Sequence, residues 1–355
     1  MRALTLKLLG NLSSLLGGRL HRFVQRRRSL GILGIVGFTG HGTPDAAVLD
    51  GRVLRPQNLL LSNEQASRWQ NARNVARRFA SREATNILVR GSLYGASAEA
   101  QTDDEGYFKL RFRFGEPLAD GWHTATLTLP HLNVRSEAPV RIVAGADFGV
   151  ISDLDDTVVQ TGVTRLWQMI GTVLFGNAHT RLPFPGVGAL YRALTCGAGG
   201  TSNNPLFYVS SSPWNLFDML WTFLEYRRIP LGPIFLRDWG LHIFRSGHHS
   251  HKLDAIEELF RTYPNLPFVL IGDSGEQDPE IYREVVHRHP QRVLAVYIRD
   301  VADARRDLDV LRLRAELRVH NIDLVLASDS LAAAHHAHAL GLIQARGVRE
   351  VGEAT

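Results

Sequence analysis

The pattern of apolar and polar residues changes along the chain and predicts successive regions. Residues 1–30 form a leucine-rich segment in which arginine and lysine interrupt the apolar positions. Residues 31–145 contain short runs of alternating apolar and polar residues, such as 107–114, which are typical of half-buried β-strands. From residue 146 to residue 345, longer apolar runs alternate with segments of helical periodicity, and residues 346–355 form a polar tail.

The apolar runs after residue 146 are of the kind found in strands that are buried on both faces of a parallel sheet. They occupy 148–152, 206–210, 268–271, 294–298 and 323–326. Because helical patterns separate them, we predict an α/β fold for 146–345, built on a doubly wound parallel sheet. The several short strands before it predict a smaller β-sandwich domain at 31–145, with the boundary near Gly145.

Acidic and hydroxyl side chains follow three of these predicted strands directly. They are Asp153, Asp155 and Thr157 after the first strand, Ser210, Ser211 and Ser212 at the second, and Asp273 and Asp278 after the third, with Lys252 in the helical pattern before it. The carboxyl ends of parallel strands meet at one edge of a sheet, where ligands collect. Neighbouring carboxylates repel one another unless a cation lies between them, and oxygen ligands suit Mg²⁺.

The order of these motifs resembles that of the haloacid-dehalogenase-type phosphatase superfamily. Within it, four segments are similar to the actin-patch-protein-type phosphatidate phosphatase family. They are Asp153-Leu154-Asp155-Asp156-Thr157, Tyr208-Val209-Ser210-Ser211-Ser212-Pro213-Trp214-Asn215, His251-Lys252 and Gly272-Asp273-Ser274-Gly275-Glu276-Gln277-Asp278. The resemblance covers about 148–301 and implies a haloacid-dehalogenase-like, Rossmann-like catalytic domain.

The resemblance also implies a role for each motif residue. Asp153 would be the nucleophile, Asp155 the general acid and then the general base, and Lys252 the group that neutralises developing charge. Ser210 would bind the phosphoryl oxygens, with Ser211 and Thr157 as further substrate contacts. Mg²⁺ would be held by Asp153, Asp155, Asp273 and Asp278.

Alternatives remain open for several of these residues. Ser210 could instead cap a helix, in which case Ser211 or Ser212 would contact the phosphate. Asp278, which precedes a proline, could be only a helix N-cap, and Lys252 could be an ordinary surface lysine.

The resemblance implies magnesium-dependent hydrolysis of phosphatidate to diacylglycerol and phosphate through an aspartyl-phosphate intermediate. One alternative is the same mechanism acting on a soluble phosphorylated metabolite or a phosphoprotein. Another is a non-catalytic, membrane-associated adaptor that uses the β domain and the basic leader.

The charge and composition of the chain indicate which kinds of partner it binds and where it is located. A net charge of +5 and a pI near 9.6 favour acidic partners, including an anionic membrane, while no nucleic-acid-binding motif is present. The leader could lie on such a membrane as an amphipathic helix, or it could pack on the fold with no membrane role. The chain has one cysteine, no signal peptide and no apolar run long enough to cross a bilayer, so we expect a cytoplasmic protein. We also hypothesise that it makes peripheral contact with a membrane.

Overall fold

The structure, a computed structural model, describes residues 33–54, 84–154, 185–237, 248–301 and 304–355. The basic leader, Asp155 and Thr157 lie outside the described residues. Contacts between residues divide the chain into two compact units. Unit 1 contains the described residues up to Ile142 together with 217–228, and unit 2 contains the other described residues.

The described part of unit 1 is built on one hydrogen-bonded sheet. Its strands are β1 (Gly34–Gly37), β2 (Gly40–Thr43), β3 (Ala46–Leu54), β4 (Leu88–Leu93), β5 (Ala96–Gln101), β6 (Tyr107–Arg113), β7 (Gly121–Leu129) and β8 (Val134–Ile142). Their order is β1-β3-β2-β8-β7-β4-β5, and β6 pairs with β3. The alternation predicted for β6 is present, because Phe108, Leu110 and Phe112 are buried and the residues between them are more exposed.

The predicted β-sandwich is not confirmed. A sandwich requires two separate sheets packed face to face, whereas hydrogen bonds join these strands into one curled sheet around one apolar cluster. The parallel pairing of β2 with β8, in which Gly40 lies opposite Val140, joins β1, β3 and β2 to β8, β7, β4 and β5.

Unit 2 is built on a parallel sheet, as predicted. Its strands are β9 (Gly149–Asp153), β10 (Leu206–Pro213), β11 (Ile234–Arg237), β12 (Phe268–Asp273), β13 (Val293–Arg299) and β14 (Leu324–Ala327). They pair in parallel in the order β11-β10-β9-β12-β13-β14. The strand order reverses at β9, and such a reversal places a ligand crevice at the carboxyl ends of the strands.

Seven α-helices are present in the described residues. They are α1 (Val187–Cys196), α2 (Phe217–Tyr226), α3 (His248–Thr262), α4 (Asp278–Arg288), α5 (Ala304–Arg318), α6 (Ser330–Ala339) and α7 (Ala345–Ala354). Helix α2 belongs to unit 1, where the ring of Phe217 lies 4.9 Å from that of Phe38. None of the described helices is long and apolar enough to span a membrane.

The residues predicted to be a polar tail form α7 instead. Val348 and Val351, one turn apart, are buried on one face of this helix. Gly347 allows a close approach, since a Cβ at that position would lie 2.8 Å from the Cβ of Ala193 in α1. The apolar face of α7 is therefore narrow and flanked by charged residues, which gives the segment its polar appearance.

Candidate active site

Three adjacent strands bring the predicted motif residues to one edge of the sheet. Asp153 is the last residue of β9 and lies opposite Val209, which precedes Ser210 in β10. On the other side, Ser152 lies opposite Ile271, so that Asp273 ends β12 close by. The parallel register thus brings Ser210 in β10 to the level at which β9 and β12 end on Asp153 and Asp273, where the order of the strands reverses.

Lys252 is the centre of a buried charge cluster at this edge. Its Nζ lies 2.8 Å from Asp153 Oδ1, 2.8 Å from Glu276 Oε2 and 2.7 Å from Asp278 Oδ1. The side chains of Lys252, Asp153 and Asp278 are almost fully buried, and that of Glu276 is partly exposed. The lysine is therefore not a surface lysine. It donates hydrogen bonds to Glu276 and Asp278 and forms a close ion pair with Asp153.

Asp278 also stabilises the turn that follows β12. Its Oδ2 accepts a hydrogen bond from the backbone N–H of Asp273 at 3.2 Å. Burial raises the pKa of Asp278 to about 7, while the nearby charge of Lys252 opposes this rise. Asp278 is not the N-cap of α4, which is Gln277, but the first residue of the helix, and its side chain contacts Lys252 and the backbone of Asp273.

Asp273 shapes the loop that carries Glu276. Its Oδ1 accepts hydrogen bonds from the backbone N–H groups of Gly275 at 2.7 Å and Glu276 at 3.0 Å. These bonds turn the chain so that the Glu276 side chain reaches Lys252. Sequence reasoning did not select Glu276, although it lies between the two acids of the motif.

Asp153, Glu276 and Asp278 form a group that could hold a metal ion. One carboxylate oxygen from each lies within 4.8 Å of the others. If all three are ionised, they carry three negative charges against one positive charge on Lys252, an excess that a divalent cation would offset. This group differs from the predicted ligand set, because it includes Glu276 and not Asp273, and Asp155 lies outside the described residues.

Ser210 is fully buried within β10, one residue after the position opposite Asp153. Its Oγ accepts a hydrogen bond from the backbone N–H of Ser212 at 3.0 Å, which makes a local turn of the triple serine. The backbone of Ser210 also forms a hydrogen bond with the His251 side chain, the neighbour of Lys252 in α3. Burial lowers the pKa of His251, which favours a neutral imidazole.

A cavity adjoins the charge cluster on the α1 side of Asp153. Asp153, Asp273, Arg299 and Tyr191 are among the residues that line it. The hydroxyl of Ser152 donates to the carbonyl oxygen of Asp153 at 2.8 Å and lies 2.6 Å from the hydroxyl of Tyr191. Because the Ser152 hydrogen is given to the Asp153 carbonyl, the Tyr191 hydroxyl is the donor in its bond with Ser152. Burial raises the pKa of Tyr191 to about 12. These bonds fix the backbone at Asp153.

The segment that contains this cluster matches a known family. Residues 148–300 match the family described as "Phosphatidate phosphatase APP1, catalytic domain". They belong to it. The matched residues include Asp153, Ser210, Lys252, Asp273 and Asp278, and the predicted resemblance to this family is confirmed for this segment.

Curated relatives extend the similarity beyond this segment. Phosphatidate phosphatase APP1 of Saccharomyces cerevisiae is 28% identical over 230 residues, which cover 63% of this chain and 38% of that protein. An uncharacterized protein of Schizosaccharomyces pombe is 34% identical over 170 residues, which cover 47% of this chain and 27% of that protein. The matched regions therefore span well under half the length of both relatives.

Similarity to solved structures is weaker. A carbohydrate acetylesterase from Xanthomonas citri aligns with 85% of this chain and 73% of its own, at 12% identity and a TM-score of 0.27. A TM-score at this level supports no inference about fold or function.

Proposed function

We propose that the protein is a magnesium-dependent phosphatidate phosphatase that hydrolyses phosphatidate to diacylglycerol and phosphate. The observation that carries this proposal is the contact of Lys252 with Asp153 and two further carboxylates, within a segment of the phosphatidate phosphatase catalytic family. We also propose a haloacid-dehalogenase-like fold for unit 2, because its strand order reverses at the strand that carries Asp153.

In the first step, a carboxylate oxygen of Asp153 attacks phosphorus. The bond between phosphorus and the ester oxygen breaks, and an aspartyl-phosphate forms on Asp153. Asp155 gives its proton to the departing alkoxide, which leaves as the hydroxyl of diacylglycerol. Lys252 holds Oδ1 of Asp153 at 2.8 Å, and this contact orients the carboxylate and offsets its repulsion from the phosphate.

In the second step, water attacks the phosphorus of the aspartyl-phosphate. Asp155, now a carboxylate, accepts a proton from this water, and the bond between phosphorus and Asp153 breaks. Inorganic phosphate leaves, and Asp153 and Asp155 return to their starting states. Ser210, with Ser211 and Thr157, would hydrogen-bond the phosphoryl oxygens in both steps.

The oxygen donors at the site suit Mg²⁺. Asp153, Glu276 and Asp278 are the described residues that could hold it, and Asp273 and Asp155 are the other candidates. When bound, Mg²⁺ would offset the negative charge of the phosphate and of the surrounding carboxylates.

The test is the release of phosphate from phosphatidate in mixed micelles, with Mg²⁺ and with a chelator. We expect Mg²⁺-dependent release by the wild type and none by Asp153→Asn. The matched control is Asp147→Asn, because Asp147 is exposed just before β9 and should tolerate the same substitution without loss of turnover.

Each other outcome favours a named alternative. Hydrolysis of p-nitrophenyl phosphate without hydrolysis of phosphatidate would retain the mechanism and indicate a soluble substrate or a phosphoprotein. No hydrolysis of either compound would overturn the enzymatic proposal and favour an adaptor. Turnover by Asp153→Asn equal to that of the wild type would exclude Asp153 as the nucleophile.

A further inference from the structure

Helix α5 has two apolar faces, and only one of them is buried. Its inner face carries Val310, Leu313 and Leu317, which are buried in the apolar core of unit 2. Its outer face carries Leu308 and Leu311, which are 59% and 44% exposed. Val319, which directly follows the helix, is 81% exposed. Positions 308, 311, 315 and 319 follow one another at helical spacing, so they form one stripe.

The stripe concentrates exposed apolar side chains in one place. Seven large hydrophobic side chains are exposed among the described residues, and three of them are Leu308, Leu311 and Val319. Single exposed hydrophobic residues are normal on protein surfaces and need no explanation. An exposed apolar stripe along a helix, in contrast, is typical of a surface that is covered by a partner.

Arginines flank the stripe on both sides. At 100° per residue, Arg312 lies beside the stripe on one side and Arg318 on the other. The two side chains are 78% and 60% exposed, and they form ion pairs with Asp309 at 3.1 Å and Asp323 at 4.0 Å. From 304 to 320 the chain has five arginines (305, 306, 312, 314, 318) and three acids (307, 309, 316), a net charge of +2.

This combination fits an anionic lipid surface. Apolar side chains on such a helix enter the acyl boundary, while long arginine side chains extend to the phosphates of the headgroups. A second copy of the chain fits less well, because a two-fold contact through the stripe would bring the same arginines of both copies close together.

We propose that the outer face of α5 binds an anionic membrane surface. The proposal rests in part on the proposed function, because phosphatidate resides in a bilayer. Helix α5 begins five residues after Arg299, which lies opposite Asp273 at the carboxyl end of β13. The N-terminal end of the helix is therefore close in sequence to the edge of the sheet that carries the candidate active site.

The experiment measures flotation of the full chain with phosphatidylcholine vesicles, with and without phosphatidylserine, in the absence of any turnover. The test variant is Leu308→Glu/Leu311→Glu. The matched control is Leu132→Glu/Leu340→Glu, which adds the same charge at positions that are 48% and 44% exposed. We expect the test variant to lose partitioning into the anionic vesicles by at least about tenfold, because it loses apolar insertion and gains repulsion. The control should bind as the wild type does.

The proposal would be overturned if the wild type did not bind anionic vesicles, or if the test variant bound them as well as the wild type does. It would also be overturned if the control variant lost binding equally. A wild-type dimer that the test substitutions convert to a monomer would overturn it as well. Hydrolysis of p-nitrophenyl phosphate and thermal unfolding of both variants report on their folding. Because binding is measured without turnover, failure of the proposed function would appear as absent hydrolysis with binding retained.

Discussion

Lys252 Nζ lies 2.8 Å from Asp153 Oδ1, in a contact that joins α3 to the end of β9. The same ammonium group contacts Glu276 and Asp278, so that one buried cation holds three carboxylates together. Burial makes each of these charges costly unless it is paired. The stability of the site and its proposed chemistry therefore depend on the same lysine.

Substitution of Lys252 by methionine should destabilise the protein and abolish turnover. The variant keeps the length of the side chain but leaves the buried carboxylates of Asp153 and Asp278 without their cation. We expect the free energy of unfolding to fall by about 3–5 kcal/mol in the presence of a chelator. Chemical denaturation followed by circular dichroism measures this change.

The control for this prediction is Lys109→Met. Lys109 is partly exposed and lies 3.5 Å from Asp50, a pair of the kind that contributes about 0–1 kcal/mol. Equal stability of Lys252→Met and Lys109→Met would mean that the contacts of Lys252 do not stabilise the site.

Asp278 should make the stability of the metal-free protein depend on pH. Its carboxyl has a pKa of about 7 in the folded protein, compared with about 3.8 for an ordinary aspartate. Between pH 3.8 and pH 7, the folded protein therefore keeps this proton while the unfolded chain releases it. The contribution of Asp278 to stability is therefore complete below pH 3.8 and is lost as the pH rises towards 7.

In Asp278→Asn, the free energy of unfolding should therefore fall less between those two pH values than in the wild type. Urea denaturation at a series of pH values, with a chelator present, measures the slope. Asp104→Asn, in an exposed turn, controls for the removal of one carboxylate. An unchanged slope in Asp278→Asn would show that this carboxyl does not titrate as described.

The positions of Asp153 and Asp273 follow from the sequence because each ends an uninterrupted apolar run. Such a run specifies a buried parallel strand, and the polar residue after it must lie at the edge of the sheet. The position of Glu276 beside Lys252 cannot be predicted from an apolar run. It depends on the turn in which Asp273 accepts two backbone hydrogen bonds, and periodicity carries no information about such a turn.

Two features of the fold were missed for different physical reasons. Helix α5 was not predicted because its apolar residues lie on two opposite faces, so the segment lacks the single apolar face by which an amphipathic helix is identified. The single sheet of unit 1 depends on the pairing of β2 with β8, which are distant in sequence. Alternation identifies a strand but does not identify its partner.

Gly272 should be intolerant of any side chain. A Cβ at this position would lie 2.7 Å from the Cβ of Asp278 and 2.8 Å from its Cγ. Gly272→Ala must therefore displace the start of α4, which moves Asp278 away from Lys252. We expect a loss of about 1–3 kcal/mol in the free energy of unfolding and a large loss of turnover.

The comparison for this prediction is Gly115→Ala, where a Cβ would meet nothing within 4 Å. That substitution should change the free energy of unfolding by no more than about 0.5 kcal/mol. Thermal unfolding of the two variants side by side measures the difference, and equal values would contradict the close contact at Gly272.

Glu276 should be a determinant of metal affinity. Its carboxylate lies with those of Asp153 and Asp278 in the group that could hold a metal ion, and unlike them it is partly exposed. Glu276→Gln keeps the size of the side chain and an oxygen for Lys252 but removes one negative charge. We expect the Mg²⁺ concentration at half-maximal turnover to rise by about tenfold or more, with turnover at saturating Mg²⁺ largely retained.

Glu284→Gln, in an exposed ion pair with Arg288 on α4, should leave that concentration unchanged. Calorimetric titration of Mg²⁺ into both variants tests the same point without turnover. An unchanged affinity in Glu276→Gln, together with lower stability, would assign Glu276 to the support of Lys252 and leave metal binding to the remaining acids.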